Sequence, residues 1–192
     1  MKRKLMTMAL IVTTVSTTAL VPGIINANER NNDYNQVIET FEDSESVKGI
    51  IYEFTYENAP EEMRRDHEEN CKSIGIEPLA TDVLYSTSPE YAKLGEPRTF
   101  SIIREGDYMV FASANVNYRA KITTIRNGSR GNIVKIAQLL LERAMGYGLV
   151  ADGIFGSKTE TAVRNFQLKK GLSVDGIVGN NTWSKLDDYC DK

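Results

Sequence analysis

The stretch Asp152-Gly153-Ile154-Phe155-Gly156-Ser157-Lys158-Thr159 returns further along the chain as Asp175-Gly176-Ile177-Val178-Gly179-Asn180-Asn181-Thr182. Each copy has glycines where a reversal needs positive φ, an Asp able to tie down local amides, and an apolar pair that can plug a core. Helical spacing follows each copy, with Ala162, Val163 and Phe166 after the first and Trp183 and Leu186 after the second. The repeat is therefore a device that ends a turn and starts a helix. Ser157 and Glu160 have capping-box spacing, which predicts a helix beginning at Ser157 and stopping at Gly171. Upstream, Asn132 suits the cap of an earlier helix whose stripe is Val134, Ala137, Leu140, Leu141 and Ala144, ending near Gly146 or Gly148. Residues 132–190 are thus predicted to form a small all-α domain of three helices.

Val134 to Gln138, the first repeated turn, Ala162-Val163-x-x-Phe166-Gln167, Gly171-Leu172-x-Val174-Asp175-Gly176-x-x-Gly179 and Thr182-Trp183-x-x-Leu186 stand in order along this segment. Together they resemble the three-helix peptidoglycan-binding domain found on bacterial cell-wall hydrolases. The resemblance covers about a third of the chain, and its departures are small: Ala137 stands where a larger aliphatic is usual, and the first helix runs one residue longer. It implies peptidoglycan as the partner, through a stem peptide or an acetylated glycan. Helix N-termini offer unpaired amides and partial positive charge suited to the carboxylates of stem peptides, and an exposed aromatic can contact acetamido sugars. The candidate ligand-binding residues are Asp152, Phe155, Thr159, Asp175, Thr182 and Trp183. Most motif positions also have a structural explanation, because glycines shape turns and Phe155, Val163, Phe166 and Leu186 suit a core.

Residues 47–126 read differently. Ile50, Tyr52, Phe54 and Tyr56 alternate with Ile51, Glu53, Thr55 and Glu57, the period of a half-buried strand. Pro60 with Glu61 and Glu62 opens a helix whose apolar side is Met63, His67, Cys71 and Ile74, ending near Gly75. Arg98 to Arg104 is a strand, Glu105-Gly106-Asp107 a hairpin turn, and Tyr108 to Ile125 one long strand or two short ones with the even-numbered residues on one face. The predicted fold is an α+β domain, a small antiparallel sheet with a helix, followed by the all-α unit. Residues 127–131, with two glycines and no apolar side chain, read as a linker.

The first 27 residues carry Lys2, Arg3 and Lys4 ahead of an apolar run from Leu5 to Leu20, the form of a secretory signal peptide, and residues 28–46 form a solvated lead-in. Export implies a cell-wall or extracellular location, without stable membrane insertion once the signal is removed. The formal net charge is −3, and the mature chain is more acidic still because the signal holds three basic residues and no acidic one. The acidity sits before residue 131, so nucleic acid and anionic lipid are poor partners. Two cysteines, Cys71 and Cys190, permit one disulfide in an oxidising compartment, and Cys71 also sits one helical turn from His67.

Little in the sequence points to catalysis. His67 is the sole histidine, too few for the common zinc peptidase ligand sets, and no metal site or cofactor is predicted. His67 and Cys71 share a helical face that can place a thiol beside a base, yet no third orienting group is identifiable and both fit the buried stripe. Glu53 with Glu57, and Glu61 with Glu62, read as solvated faces rather than a glycosidase pair. No catalytic residue is assigned. The first reading is a non-catalytic wall-binding protein whose C-terminal module anchors an α+β domain of unknown role. A hydrolase with its site in the N-terminal domain and an interaction module without wall affinity are the alternatives.

Overall fold

The computed structural model describes residues 49–114 and 116–191; the expected signal peptide and lead-in lie outside them. The order of elements is β1 (Gly49–Thr55), α1 (Glu61–Ser73), β2 (Val83–Ser86), β3 (Pro97–Glu105), β4 (Tyr108–Ser113), β5 (Val116–Lys121), α2 (Asn132–Met145), α3 (Ser157–Lys169) and α4 (Asn180–Leu186), with short 3-10 turns at Tyr56–Asn58, Pro89–Lys93 and Asp187–Tyr189. The strands form one antiparallel sheet in the order β2-β1-β3-β4-β5, so an α+β part precedes an all-α part as the sequence implies.

Two strand expectations need correction. β2 lies where the sequence predicts no strand, because the four residues between Asp82 and Thr87 carry too short an alternation to register. The stretch from Tyr108 is two strands, and its even-numbered residues do not share a face. Met109 pairs with Ala120 and Phe111 with Tyr118, while Val110 meets Arg119. A hairpin with two residues between paired ends always sets even positions opposite odd ones, so the stripe changes parity at the turn.

The sheet face bearing Ile51, Tyr85, Phe100, Ile102, Met109, Phe111 and Ala120 joins a single apolar cluster with Val134, Ile136, Leu139, Leu140, Phe155, Phe166, Trp183 and Leu186. This explains why α2 is apolar around more than one stripe: Ile136 and Leu139 are buried as fully as Leu140. The opposite face at β1 and β2, with Tyr52, Phe54 and Leu84, packs with Met63 of α1, Tyr91 and Val150. Trp183 fixes α4 to the strand-to-helix connection, its indole N–H donating to the Thr123 carbonyl at 2.8 Å.

Helix caps, though not the helix start at Ser157, differ from expectation. α3 begins at Ser157, but its cap is Gly156 and no side chain caps it. Glu160 turns instead to Arg164 (2.8 Å) and Asn127 (3.1 Å). Likewise Gly131 rather than Asn132 precedes α2 as its cap, at φ 107°, a conformation that favours glycine. Residues 127–131 hydrogen-bond along the first repeated turn: Gly128 N–H donates to the Phe155 carbonyl and Gly131 N–H to that of Gly153, both at 2.9 Å. The other end of α2 is held by Glu142, whose carboxylate accepts from the N–H groups of Tyr147, Gly148 and Leu149 at 2.7 to 3.1 Å. The chain end returns to the sheet, with Asp191 N–H donating to the Ile102 carbonyl and Ile102 N–H donating to the Asp191 carboxylate, each at 2.7 Å.

Candidate functional site

The two repeated turns are built by the same hydrogen bonds. A glutamine from the preceding helix reaches into each. Gln138 Nε2 donates to Asp152 Oδ1 (2.8 Å), the Ile154 carbonyl (3.1 Å) and Thr159 Oγ1 (3.0 Å), while its Oε1 accepts from Gly153 N–H (2.8 Å). Gln167 does the same for Asp175 Oδ1 (2.7 Å), the Ile177 carbonyl (2.9 Å), Thr182 Oγ1 (3.1 Å) and Gly176 N–H (2.9 Å). The N–H two residues after each Asp closes onto Oδ1, from Ile154 at 2.8 Å and from Ile177 at 2.9 Å. Every buried polar atom of the knot is thereby satisfied. The sequence singled out the Asp and Thr of each turn but gave the glutamines no role. The signal was present, since one Gln lies in the apolar helix before each repeat.

The surroundings of the two turns differ. Turn 1 is covered by α1. Asp152, its side chain without exposed surface, accepts through Oδ2 from Asn70 Nδ2 (2.9 Å) and from His67 Nδ1 (3.1 Å). The other ring nitrogen of His67 meets Asp82 at 2.9 Å. A carboxylate on each nitrogen favours the doubly protonated ring. Burial opposes that charge, but the hydrogen bonds to Asp152 and Asp82 outweigh it and raise the His67 pKa above its ordinary value. α1 leaves no room at Gly156: a Cβ there would fall 2.4 Å from Asn70 Oδ1 and 2.9 Å from Ser73 Oγ. Lys158 adds ion pairs to Asp66 and to Glu69 (3.6 Å).

Turn 2 has no such cover. Asp175 is exposed, and the N–H of Ile177, then the Gln167 amide, hold its carboxyl below the usual carboxylate range. A cleft of about 450 Å³ opens beside it, lined by Thr124, Leu172, Asp175, Ile177, Asn181 and Thr182 among others. A Cβ at Gly179 would meet nothing within 4 Å. Of the sequence-predicted residues, Phe155 and Thr159 are fully buried, Asp152 is sealed under α1, and Thr182 and Trp183 are buried behind turn 2; Asp175 alone faces solvent. A second cleft, of about 540 Å³, lies between α1 and α3, with Asp66, Glu69, Tyr147, Lys158 and Thr161 on its walls.

The His67–Cys71 pair does not make a nucleophile. Sγ lies 3.5 Å from Nε2, but Cys71 has no exposed surface, and burial, then the Asp152 and Asp82 charges, push its thiol up to about 11. Both ring nitrogens are already committed to carboxylates. Cys71 and Cys190 are unpaired, the latter packing its sulfur 3.9 Å from that of Met109. Among the described residues no cluster of three or more His, Cys, Asp or Glu is arranged to hold a metal, and no helix is long and apolar enough to cross a membrane.

Two family models match the chain, each described as "putative peptidoglycan binding domain", one over residues 130–186 and the other over 45–93. A zinc D-Ala-D-Ala carboxypeptidase of Streptomyces albus G is 40% identical over 73 residues, 35% of this chain and 29% of that enzyme. A spore cortex-lytic enzyme of Halalkalibacterium halodurans is 40% identical over 63 residues, 33% of this chain and 19% of its own length. The chain spans less than half the length of these curated relatives. One solved structure matches more widely: a peptidoglycan-binding protein from Clostridioides difficile in complex with glutamine hydroxamate, 35% identical with a TM-score of 0.64, covering 73% of this chain and 92% of that one. At that identity and coverage, with both parts of the fold included, the chain belongs to the peptidoglycan-binding protein family to which the Clostridioides difficile protein belongs.

Proposed function

We propose that this is an exported wall-anchoring protein that holds peptidoglycan at turn 2, with Asp175 as the ligand contact and Thr182 and Trp183 holding the turn in shape. The α+β part, residues 47–126, is carried to the wall by the module and at the same time braces turn 1. The observation that carries the reading is the contrast between twin turns: one is sealed by α1, while the other presents the same polar knot to an open cleft. Ligand sites are commonly concave with a few convergent polar groups, and this cleft has that form. The basic n-region and apolar run at the start of the chain support export. The relative in complex with glutamine hydroxamate supports a peptide-like group over a sugar as the ligand.

Co-sedimentation of the full chain with purified sacculi tests the proposal. The wild-type protein is expected in the pellet, and Asp175→Ala is expected largely in the supernatant while still folded, with its thermal midpoint lowered by the loss of the acceptor for Gln167 and the Ile177 N–H. Recovery of the wild-type protein solely in the supernatant sinks wall binding. Retention of the Asp175→Ala variant in the pellet moves the site away from turn 2, and the cleft between α1 and α3 becomes the next place to mutate.

A further inference from the structure

Because the two turns share one architecture, the contacts made to turn 1 indicate what turn 2 is built to receive. In both, Oδ1 of the Asp is consumed internally by the glutamine and a backbone N–H. In turn 1 the outer oxygen, Asp152 Oδ2, is met by two N–H donors from outside the module, the Asn70 carboxamide at 2.9 Å and the His67 imidazolium at 3.1 Å. In turn 2 no side chain or N–H of another described residue is hydrogen-bonded to Asp175 Oδ2, and Asp175 lines the 450 Å³ cleft. Helix α1 thus shows within the same chain how a partner engages this knot. We infer that turn 2 selects a ligand group presenting N–H donors, a carboxamide or an ammonium of the peptidoglycan stem, with Asp175 Oδ2 as the acceptor, and that it disfavours a carboxylate in that place. The inference rests on the reading of turn 2 as the wall site and adds the chemistry of the group it takes.

Charge supports this polarity. The Asp175 carboxyl is held ionised by the N–H of Ile177 and the Gln167 amide, so a ligand carboxylate beside it meets like charge. The Arg164 guanidinium, whose charge adds a smaller lowering to the Asp175 carboxyl, has its hydrogen bonds directed elsewhere, with Nη2 on Glu160 at 2.8 Å and Nη1 on the Val174 carbonyl at 3.0 Å. The positive end of α4 offers little compensation, since that helix is seven residues long. The exposed Asn181 side chain in the lining can orient a neutral amide without reversing the sign.

Three probes separate the possibilities, each titrated into the full chain with binding read from NMR shifts at Gly176 and Ile177: N-acetylmuramyl-L-alanyl-D-isoglutamine, its D-glutamate counterpart, and that counterpart extended by meso-diaminopimelate. The carboxamide probe, the ammonium-bearing probe or both are expected to bind at least about tenfold more tightly than the D-glutamate form; which of them does so identifies the source of the donors. Asp175→Asn keeps the internal acceptor Oδ1 and turns the outer atom into a donor, so it should abolish or invert the preference without moving the thermal midpoint. Equal or tighter binding of the D-glutamate form, or a preference that survives Asp175→Asn, overturns the inference. So does silence from all three probes in a chain that still sediments with sacculi. A wild-type chain that does not sediment overturns the wall reading itself, which keeps the two failures apart.

Discussion

Turn 1 and turn 2 carry the same motif and the same internal hydrogen bonds, yet one serves as a joint between two parts of the protein and the other is an open surface. The difference does not arise inside the motif. It comes from α1, which brings His67 and Asn70 to the one carboxylate oxygen that the turn leaves unused. The same knot is therefore structural where it gains a partner in its own chain, and the energetic consequences of equivalent mutations should then diverge.

The largest divergence is expected from the partner side. Removing the imidazolium with His67→Ala strands Asp152 and Asp82 as uncompensated carboxylates, one of them sealed from water, and breaking a buried pair in this way costs about 3–5 kcal/mol. Urea unfolding should show that loss, while Asp175→Asn in turn 2, which keeps the internal acceptor Oδ1, should leave the unfolding midpoint close to wild type. Similar losses for both would mean that turn 2 is as structural as turn 1.

The cap glycines come next. Serine is a good cap residue, and Gly156 and Gly179 both have extended backbone that serine can adopt. Gly156→Ser nevertheless drives its Cβ into Asn70, and such overpacking costs about 1–3 kcal/mol. Gly179→Ser meets open space and should be neutral or slightly stabilising. Equal tolerance at both sites, read as thermal midpoints, would show that α1 does not press on turn 1 as described.

A smaller contrast is expected at the glutamines. Gln138→Leu and Gln167→Leu each leave a glycine N–H, an isoleucine carbonyl and a threonine hydroxyl without the amide that joined them. Water can enter turn 2 through its cleft and cannot enter turn 1. Since an unsatisfied buried group costs about 1–3 kcal/mol and a solvated one much less, Gln138→Leu should be the more destabilising by about 1 kcal/mol.

How much of this was readable beforehand follows from where the information lies. The helix starts were legible because each repeat places its glycines, Asp and Thr within eight consecutive residues, and local sequence decides a turn. The cover on turn 1 was not, because His67 and Asp152 lie 85 residues apart and the apolar stripe Met63, His67, Cys71 made His67 look like filler. Burial of that face was anticipated correctly; the two carboxylates waiting there were not. Ile136 and Leu139, outside the expected stripe of α2, were the one local sign that the module's first helix needs a second partner, which is the sheet. β2 escaped because its short run pairs on one side with β1 and on the other with Ala151, an edge that only the folded chain supplies.

The joint also predicts a pH dependence above about pH 6.5 that the open turn, with no histidine, lacks. His67 is the only histidine, and its folded pKa is raised because two carboxylate hydrogen bonds outweigh the penalty of burial. The groups around it are Asp82 before β2, Asp152 in turn 1, the Tyr56 ring at 5.5 Å and, on its own helix, the un-ionised Cys71 thiol; Lys135 of α2 is held nearby on the Val83 carbonyl at 2.7 Å. Below about pH 6.5 the imidazole is protonated both folded and unfolded, so the full stabilisation is present. As pH rises past that value the unfolded chain releases its proton first, and stability falls until the folded imidazolium has titrated. Urea midpoints measured from about pH 6 to pH 9 should therefore decline for the wild-type chain and decline less for His67→Gln, which keeps an amide in the joint without a titrating group. A wild-type midpoint that rises across this window, or that follows His67→Gln throughout, would remove the imidazolium charge from the joint and leave turn 1 held, as turn 2 is, by a carboxylate accepting from neutral donors.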